Sequence, residues 1–332
     1  MPRQARLDAP GTLHHLMARG IEGTNIFRTD KDRNDFLARL AEQCEAEGLK
    51  VYAWALIPNH FHLLVRTGNR PIFTSMRKIL TGYVVRFNRR YQRQGHLFQN
   101  RYKSIVCEED PYLLELTRYI HLNPLRAGIL RTLKELERYP WTGHSAIVGM
   151  VKRGWQDTAE VLRYFGKGQK VAVKRYVDFL EEGISQGKRP DLVGGGLLRS
   201  MGGWSEVVSM RRRGQGVASD ERILGSGRFV ERVIAEAERQ ERETLRLRRK
   251  VPELSVILRE VARSEGLEEE DLKEVRRRRE VSAAIKVFCQ LAVQKYRHTG
   301  ASVARFLGVT TSLVNRYAAS NSGDSLELTR YA

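Results

Sequence analysis

The alternation of apolar and polar positions divides the chain into a sharply patterned N-terminal part and a looser remainder. Residues 12–27 are strand-like around HHLMARG. Asp30 then stands at a helix-capping position before Phe36, Leu37, Leu40 and Cys44 at helical spacing, and Gly48 ends the run. Two β-rich runs follow, KVYAWALI and HFHLLVRT, separated only by Pro58-Asn59. Pro71 opens a second helix through Met76, Ile79, Leu80, Val84 and Phe87, and RYKSIVCE reads as a fourth strand. Asp110-Pro111 predicts the start of a further helix, which runs to Asn123-Pro124.

The resulting order, β-α-β-β-α-β with a closing helix, predicts an α+β domain with a ferredoxin-like antiparallel sheet and helices on one face. Past about Tyr139 the pattern weakens. Residues 150–185 read as helical, 187–228 are rich in glycine, and 229–249 form a strongly charged helix. Residues 253–275 are helical and acid-rich, VSAAIKVFCQLAVQKY is a longer helix, and SVARFLGVTTSLVNRYA has the form of two short helices around Gly308. The expected organisation is a catalytic-type domain over 1–145, a helical and glycine-rich connector over 146–250, and a mostly α-helical C-terminal region over 251–332.

Charge narrows the partners. Fifty-eight Lys and Arg against 39 Asp and Glu leave a formal +19 over 332 residues. Residues 51–107 hold ten Lys or Arg and not one acid. An excess so segregated favours a polyanion, and nucleic acid over an anionic membrane surface. No apolar run approaches the roughly 20 residues that cross a bilayer, and MPRQARLDAPG lacks the apolar stretch of a secretory signal. Cys44, Cys107 and Cys289 are odd in number and far apart, which indicates neither a disulfide framework nor a cysteine-based zinc site. The expected location is cytoplasmic.

The candidate chemistry sits in two short runs. In Pro58-Asn59-His60-Phe61-His62, strand alternation turns His60 and His62 to one face, where two imidazoles can hold one divalent metal; two ordinary strand histidines are the plainer reading. In Tyr119-Ile120-His121-Leu122-Asn123, Tyr119 and Asn123 lie one helical turn apart. Asn123 could complete a His-His-amide set whose oxygen suits magnesium or manganese as well as zinc. Tyr119 would then stand beside the metal, which a phenol of ordinary pKa needs if it is to act as a nucleophile. Tyr83, Tyr91 and Tyr102, interleaved with Arg86, Arg89, Arg90, Arg93, Arg101 and Lys103, suit stacking and phosphate contact along a single strand, or else pack as core aromatics beside a solvated face. Tyr112 competes for the nucleophile's role but has no amide one turn on.

PNHFHLLV, MRKILTGYVVRFNRRYQRQGHLFQNRYKS and YIHLNPLRAG, in this order and spacing, resemble the REP-associated tyrosine transposases, members of the HUH class of single-strand DNA transposases. The resemblance spans residues 11–128 and includes the HHLMARG strand. It implies that His60 and His62 are metal ligands, that Tyr119 is the nucleophile, and that Asn123 occupies the position of the third, helix-borne ligand. It implies a 5′-phosphotyrosine link, a free 3′-OH and rejoining without ATP, with Mg2+ or Mn2+ as cofactor and hairpin-forming single-stranded DNA as partner. SVARFLGVTTSLVNRY resembles, more weakly, a helix-turn-helix such as that of the bacterial replication initiator DnaA. That likeness implies a recognition helix exposing Ser312, Asn315 and Arg316 to duplex DNA. DERILGSGRFVERV at 220–233 is similar to a stretch in longer members of the transposase family. Monomer and homodimer both fit. The alternatives are a DNA-binding regulator with an inactive nuclease domain, a nuclease that uses water, and an RNA-binding protein.

Overall fold

A computed structural model describes residues 7, 8, 11–187, 189, 192, 220, 222–249, 252–273, 279–296 and 298–320. The chain divides into two compact units, Met1–Arg239 and Gln240–Ala332. In the first unit β1 (Leu13–Arg19), β2 (Lys50–Ile57), β3 (His60–Arg66), β4 (Lys103–Cys107) and the two-residue β5 (Ile223–Leu224) form one sheet in the order β2-β3-β1-β4-β5. β1 to β4 pair antiparallel in the expected ferredoxin-like arrangement. β5 pairs parallel with β4, through Val106↔Ile223 and Cys107↔Leu224, and makes the sheet mixed.

Strand alternation assigns two cores. Leu16, Trp54, Leu56, Phe61, Leu63 and Val65 meet α1 (Asp30–Glu47) and α2 (Ile72–Arg90) through Phe36, Leu40, Met76, Ile79 and Phe87. Leu13, Ala53, Ala55, Leu64 and Ile105 meet α3 (Glu109–His121) through Leu113, Leu116 and Ile120. Helices therefore cover both faces, not the one face expected. The reason lies in the strands: β2 is buried at every position from Val51 to Ile57, and a sheet apolar on both sides needs a cover on each.

Much of the second cover comes from residues read as connector. After α4 (Asn123–Arg126) and α5 (Leu133–Arg138), the segments α6 (His144–Ile147), α7 (Thr158–Leu162) and α8 (Gln169–Glu182) bring Ile147, Val161, Ala172, Tyr176 and Leu180 into the α3 core. The 220–233 motif supplies β5 and the start of α9 (Gly227–Arg249), whose Phe229 and Val230 pack with Leu7, Val106 and Ile223. The first compact unit thus runs past residue 145, to Arg239.

Two helix starts differ from the sequence expectation. Thr29, not Asp30, is the N-cap of α1, and Asp32 accepts from its backbone N–H at 3.0 Å. Glu108, not Asp110, precedes α3, and its carboxylate accepts from the Ser226 N–H at 2.7 Å and hydroxyl at 3.2 Å. β2 and β3 are joined by the two-residue turn Pro58-Asn59, whose carbonyls accept from Ile26, Phe27 and Gly20 at 2.8–2.9 Å. Gly20 is obligatory there because a Cβ would stand 2.1 Å from the Thr24 carbonyl oxygen.

In the second unit α10 (Leu254–Glu265), α11 (Glu269–Lys273) and α12 (Arg279–Gln290) precede α13 (Gly300–Leu307) and α14 (Thr311–Ala319). Ile257, Val261, Ile285, Phe288, Val303 and Val314 form its core. Gly308, at φ +67°, turns the chain between α13 and α14, and Thr310 caps α14 by accepting from Leu313 N–H at 3.3 Å. Among the described residues no helix is long and apolar enough to cross a membrane.

Candidate active site

The face of the sheet under α3 gathers the predicted chemistry. His60 and His62 project from β3 to that face, and their ring centroids are 5.2 Å apart. His15 joins them from β1, sharing the parity of Leu13 and Met17, and is fully buried. Its Nε2 lies 3.0 Å from His62 Nδ1, with the rings stacked at 29° and 5.2 Å. His60 Nδ1 donates to Asn59 Oδ1 at 2.7 Å. Tyr119, near the end of α3, sets its ring edge-on to His62 at 5.9 Å and to His15 at 6.1 Å.

Burial keeps His60 and His62 neutral. Burial, with the nearby Arg19 charge adding to it, pushes His60 down to about 4. Burial holds His62 well below the ordinary histidine range, and His15 and His60 push the same way. Neutral imidazole is the form that ligates metal.

Asn123 is buried, and its amide nitrogen donates to the Tyr119 carbonyl at 3.1 Å, which leaves Oδ1 as its donor atom for a metal. Two imidazole nitrogens and an amide oxygen fit a divalent cation that keeps open positions. Among the described residues no three His, Cys, Asp or Glu side chains form a metal-holding group, so a third donor here has to be of another residue type. Arg126 lies with its guanidinium 5.2 Å from the Tyr119 ring centroid and donates to the carbonyls of Tyr119 at 3.0 Å and Gly183 at 3.3 Å.

The basic and aromatic set on α2 lies elsewhere. Tyr83 and Phe87 belong to the core on the other face, so α2 covers the side of the sheet opposite His60 and His62. Tyr83 is fully buried with its hydroxyl on the Ile26 carbonyl, and Tyr102 is buried as well, so neither is available for stacking bases. Tyr91 packs on Phe87 and gives its hydroxyl to Asp32 at 2.7 Å. Arg90 pairs with Asp32, and Arg86 pairs with Asp35 at 3.1 Å. Arg93 lies over Phe87. Arg89, Arg101 and Lys103 are exposed. Tyr112 packs along the α3 core. On α14, Ser312, Asn315 and Arg316 are exposed, although Asn315 Oδ1 leans on Gly300, where a Cβ would approach it to 2.6 Å.

Sequence reading passed over His15, although a histidine at the inward parity of a buried strand was a visible signal. It gave no role to Asn59 or Arg126, which stand inside the two motifs. Nothing in the motif around His121 signals Tyr176, 55 residues away in sequence, whose hydroxyl bonds His121 Nδ1 at 2.8 Å.

No curated protein matches the chain. A solved structure of a REP-associated tyrosine transposase bound to a REP hairpin is similar at 14% identity and a TM-score of 0.38, over 46% of this chain and 89% of that one. Residues 11–123 match a family model, that of the IS200-like transposases. The stretch of this chain that carries His60, His62, Tyr119 and Asn123 is therefore similar to the IS200-like transposase family, which bears out the resemblance its motifs suggested.

Proposed function

We propose that the first unit is a metal-dependent transposase that cleaves and rejoins single-stranded DNA through Tyr119. The observation that carries this reading is the contact of the Tyr119 ring with two buried histidines, His15 and His62, on one sheet face. His60, His62 and Asn123 would hold Mg2+ or Mn2+. When bound, that ion supplies Lewis-acid polarisation of the scissile phosphate and stabilises its developing charge. The Tyr119 oxygen attacks the phosphorus and loses its proton to solvent, which later returns one to the leaving oxygen. A tyrosine–phosphorus bond forms to the 5′ side, the bond to the 3′ oxygen breaks, and that oxygen leaves as a 3′-OH once protonated. Reversal by a 3′-OH rejoins the strand with no external energy, because one phosphodiester is exchanged for another.

The substrate class is hairpin-forming single-stranded DNA, in keeping with the family resemblance and the +19 charge. The α13–α14 pair in the second unit would bind duplex DNA, with Ser312 and Arg316 the better placed of its three predicted contacts. Asn315 would first have to leave Gly300.

The decisive experiment looks for a covalent protein–DNA adduct on a denaturing gel, using labelled single-stranded hairpin DNA with Mg2+, with Mn2+ and with EDTA. An adduct is expected with metal and none with EDTA or in Tyr119→Phe. Cleavage without an adduct, unchanged in Tyr119→Phe, would replace this mechanism with a water-using nuclease. Binding without cleavage would point to a regulator, and stronger competition by RNA hairpins to an RNA-binding protein.

A further inference from the structure

We propose that Asn59 and His15 are positioning residues that fix the tautomers of His60 and His62, so that both rings offer an unprotonated Nε2 to a divalent metal. This rests on the metal-site reading above and adds which nitrogen each ring presents and what enforces it.

A neutral imidazole carries one proton on one of two nitrogens, and only the other can ligate. Asn59 Oδ1 has no hydrogen to give and lies 2.7 Å from His60 Nδ1. The proton of His60 therefore sits on Nδ1, and its Nε2 keeps a lone pair. His62 makes its own bond at the same ring position, Nδ1 to His15 Nε2 at 3.0 Å. With the shared proton on His62 Nδ1, His15 Nε2 accepts, and His62 Nε2 is left bare like that of His60.

The two anchors come from different parts of the fold. Asn59 belongs to the β2–β3 turn, one residue before His60. His15 reaches His62 from β1, 47 residues away in sequence. His15 is also held firmly: it is fully buried, stacked on His62 and touched by the edge of Tyr119. A buried polar ring with these neighbours fixes the orientation of His62 and limits the position of the nucleophile's ring. Such outer partners typically set metal affinity by orienting the ligands before the metal arrives.

Two measurements on the full chain test the proposal. The first is long-range 1H–15N NMR of histidine-labelled, metal-free protein at neutral pH. Protons on Nδ1 of both His60 and His62 are expected, and a proton on Nε2 of either ring would overturn the assignment. The second is Mn2+ titration calorimetry without DNA. Relative to wild type, His15→Leu and Asn59→Ala should bind Mn2+ about 10–100-fold more weakly, whereas His15→Gln, which restores an acceptor near Nε2, should stay within about threefold.

His60→Ala separates the two levels of the claim. If it binds Mn2+ as wild type does, the metal site itself is misplaced and the positioning roles fall with it. If His60→Ala loses binding while folded His15→Leu and Asn59→Ala keep it, the metal site stands and the positioning proposal fails. Should His15→Leu not fold, the turn variant Asn59→Ala and the NMR tautomers still decide.

Discussion

Asp32 shows how a single buried carboxylate can change the meaning of a basic sequence. It is fully buried, accepts from the Arg28 and Thr29 backbone N–H groups at 2.9 and 3.0 Å and from the Tyr91 hydroxyl, and pairs with Arg90. Burial alone would raise its pKa, yet these four contacts hold it below the usual carboxylate value. Two arginines that look interchangeable in NRRYQR therefore have different work. Arg90→Ala should cost about 1–3 kcal/mol of stability by stripping a buried acid of its cation, seen as a lower urea midpoint. Exposed Arg89→Ala should change stability by less than about 0.5 kcal/mol. If Arg89 meets a phosphate, its loss should also flatten the salt dependence of hairpin affinity by about 0.7 in log–log slope. An equal loss of stability in the two variants would refute the distinction. At this scale the sequence was legible where a residue's placement follows from its own periodicity: His60 and His62 on one sheet face by strand alternation, Asn123 beside the Tyr119 backbone by one helical turn. It was illegible where the role depends on a distant partner, as with Tyr83, Arg86 and Arg90, because charge counted along a chain does not reveal which acid a fold will bring alongside.

Among the elements, α8 bears on the proposed site through contacts with the end of α3 and adds no group to its proposed chemistry. Its C-terminal half is fastened to the end of α3 around Tyr119. Arg118 donates to the Phe179 carbonyl and stacks on that ring at 4.1 Å, His121 bonds the Tyr176 hydroxyl, and Arg126 ties the carbonyls of Tyr119 and Gly183 together. Tyr176 is fully buried and also bonds His144 Nδ1 at 2.9 Å. The hydroxyl has one proton to give, so at least one of the two rings must carry its own proton on Nδ1 and donate. Removing that oxygen leaves two buried ring nitrogens without partners, and Tyr176→Phe should cost roughly 2–4 kcal/mol. The same change should slow adduct formation more than it weakens hairpin binding, because α8 holds the α3 end in place and carries none of the predicted DNA contacts. Unaltered stability and adduct rate would mean that α8 is only a cover. The pattern of residues 150–185 foretold helices but not this attachment. Its apolar stripe shows that α8 is buried, whereas the choice of α3 as its partner is a matter of tertiary geometry.

For the whole molecule, the ferredoxin-like order of the first four strands was readable because each element carries its own period. The second helical cover, β5 and the extent of the first unit were not, since they depend on residues 144–182 and 223–230 returning to the four strands that end at residue 107. That return buries histidines in both layers, and their protonation gives the molecule a predictable acid response. His14, under β4's Ser104, and His144, under α8, are each pushed by burial to about 4. An unfolded chain would titrate these groups near 6.5, so between about 6.5 and 4 the unfolded state binds more protons than the folded state. Stability from these rings is fully present above the unfolded value and is lost as pH falls toward the folded one. A displacement of about 2.5 units corresponds to roughly 3 kcal/mol per ring across that window. Urea unfolding at pH 7, 5.5 and 4.5 should show a progressive fall in midpoint, and His14→Gln should flatten it, because an uncharged amide leaves one fewer proton to distinguish the two states. A midpoint independent of pH across this range would mean that these rings are hydrated or already charged in the folded protein, and the tight burial of the two layers would then be wrong at those positions.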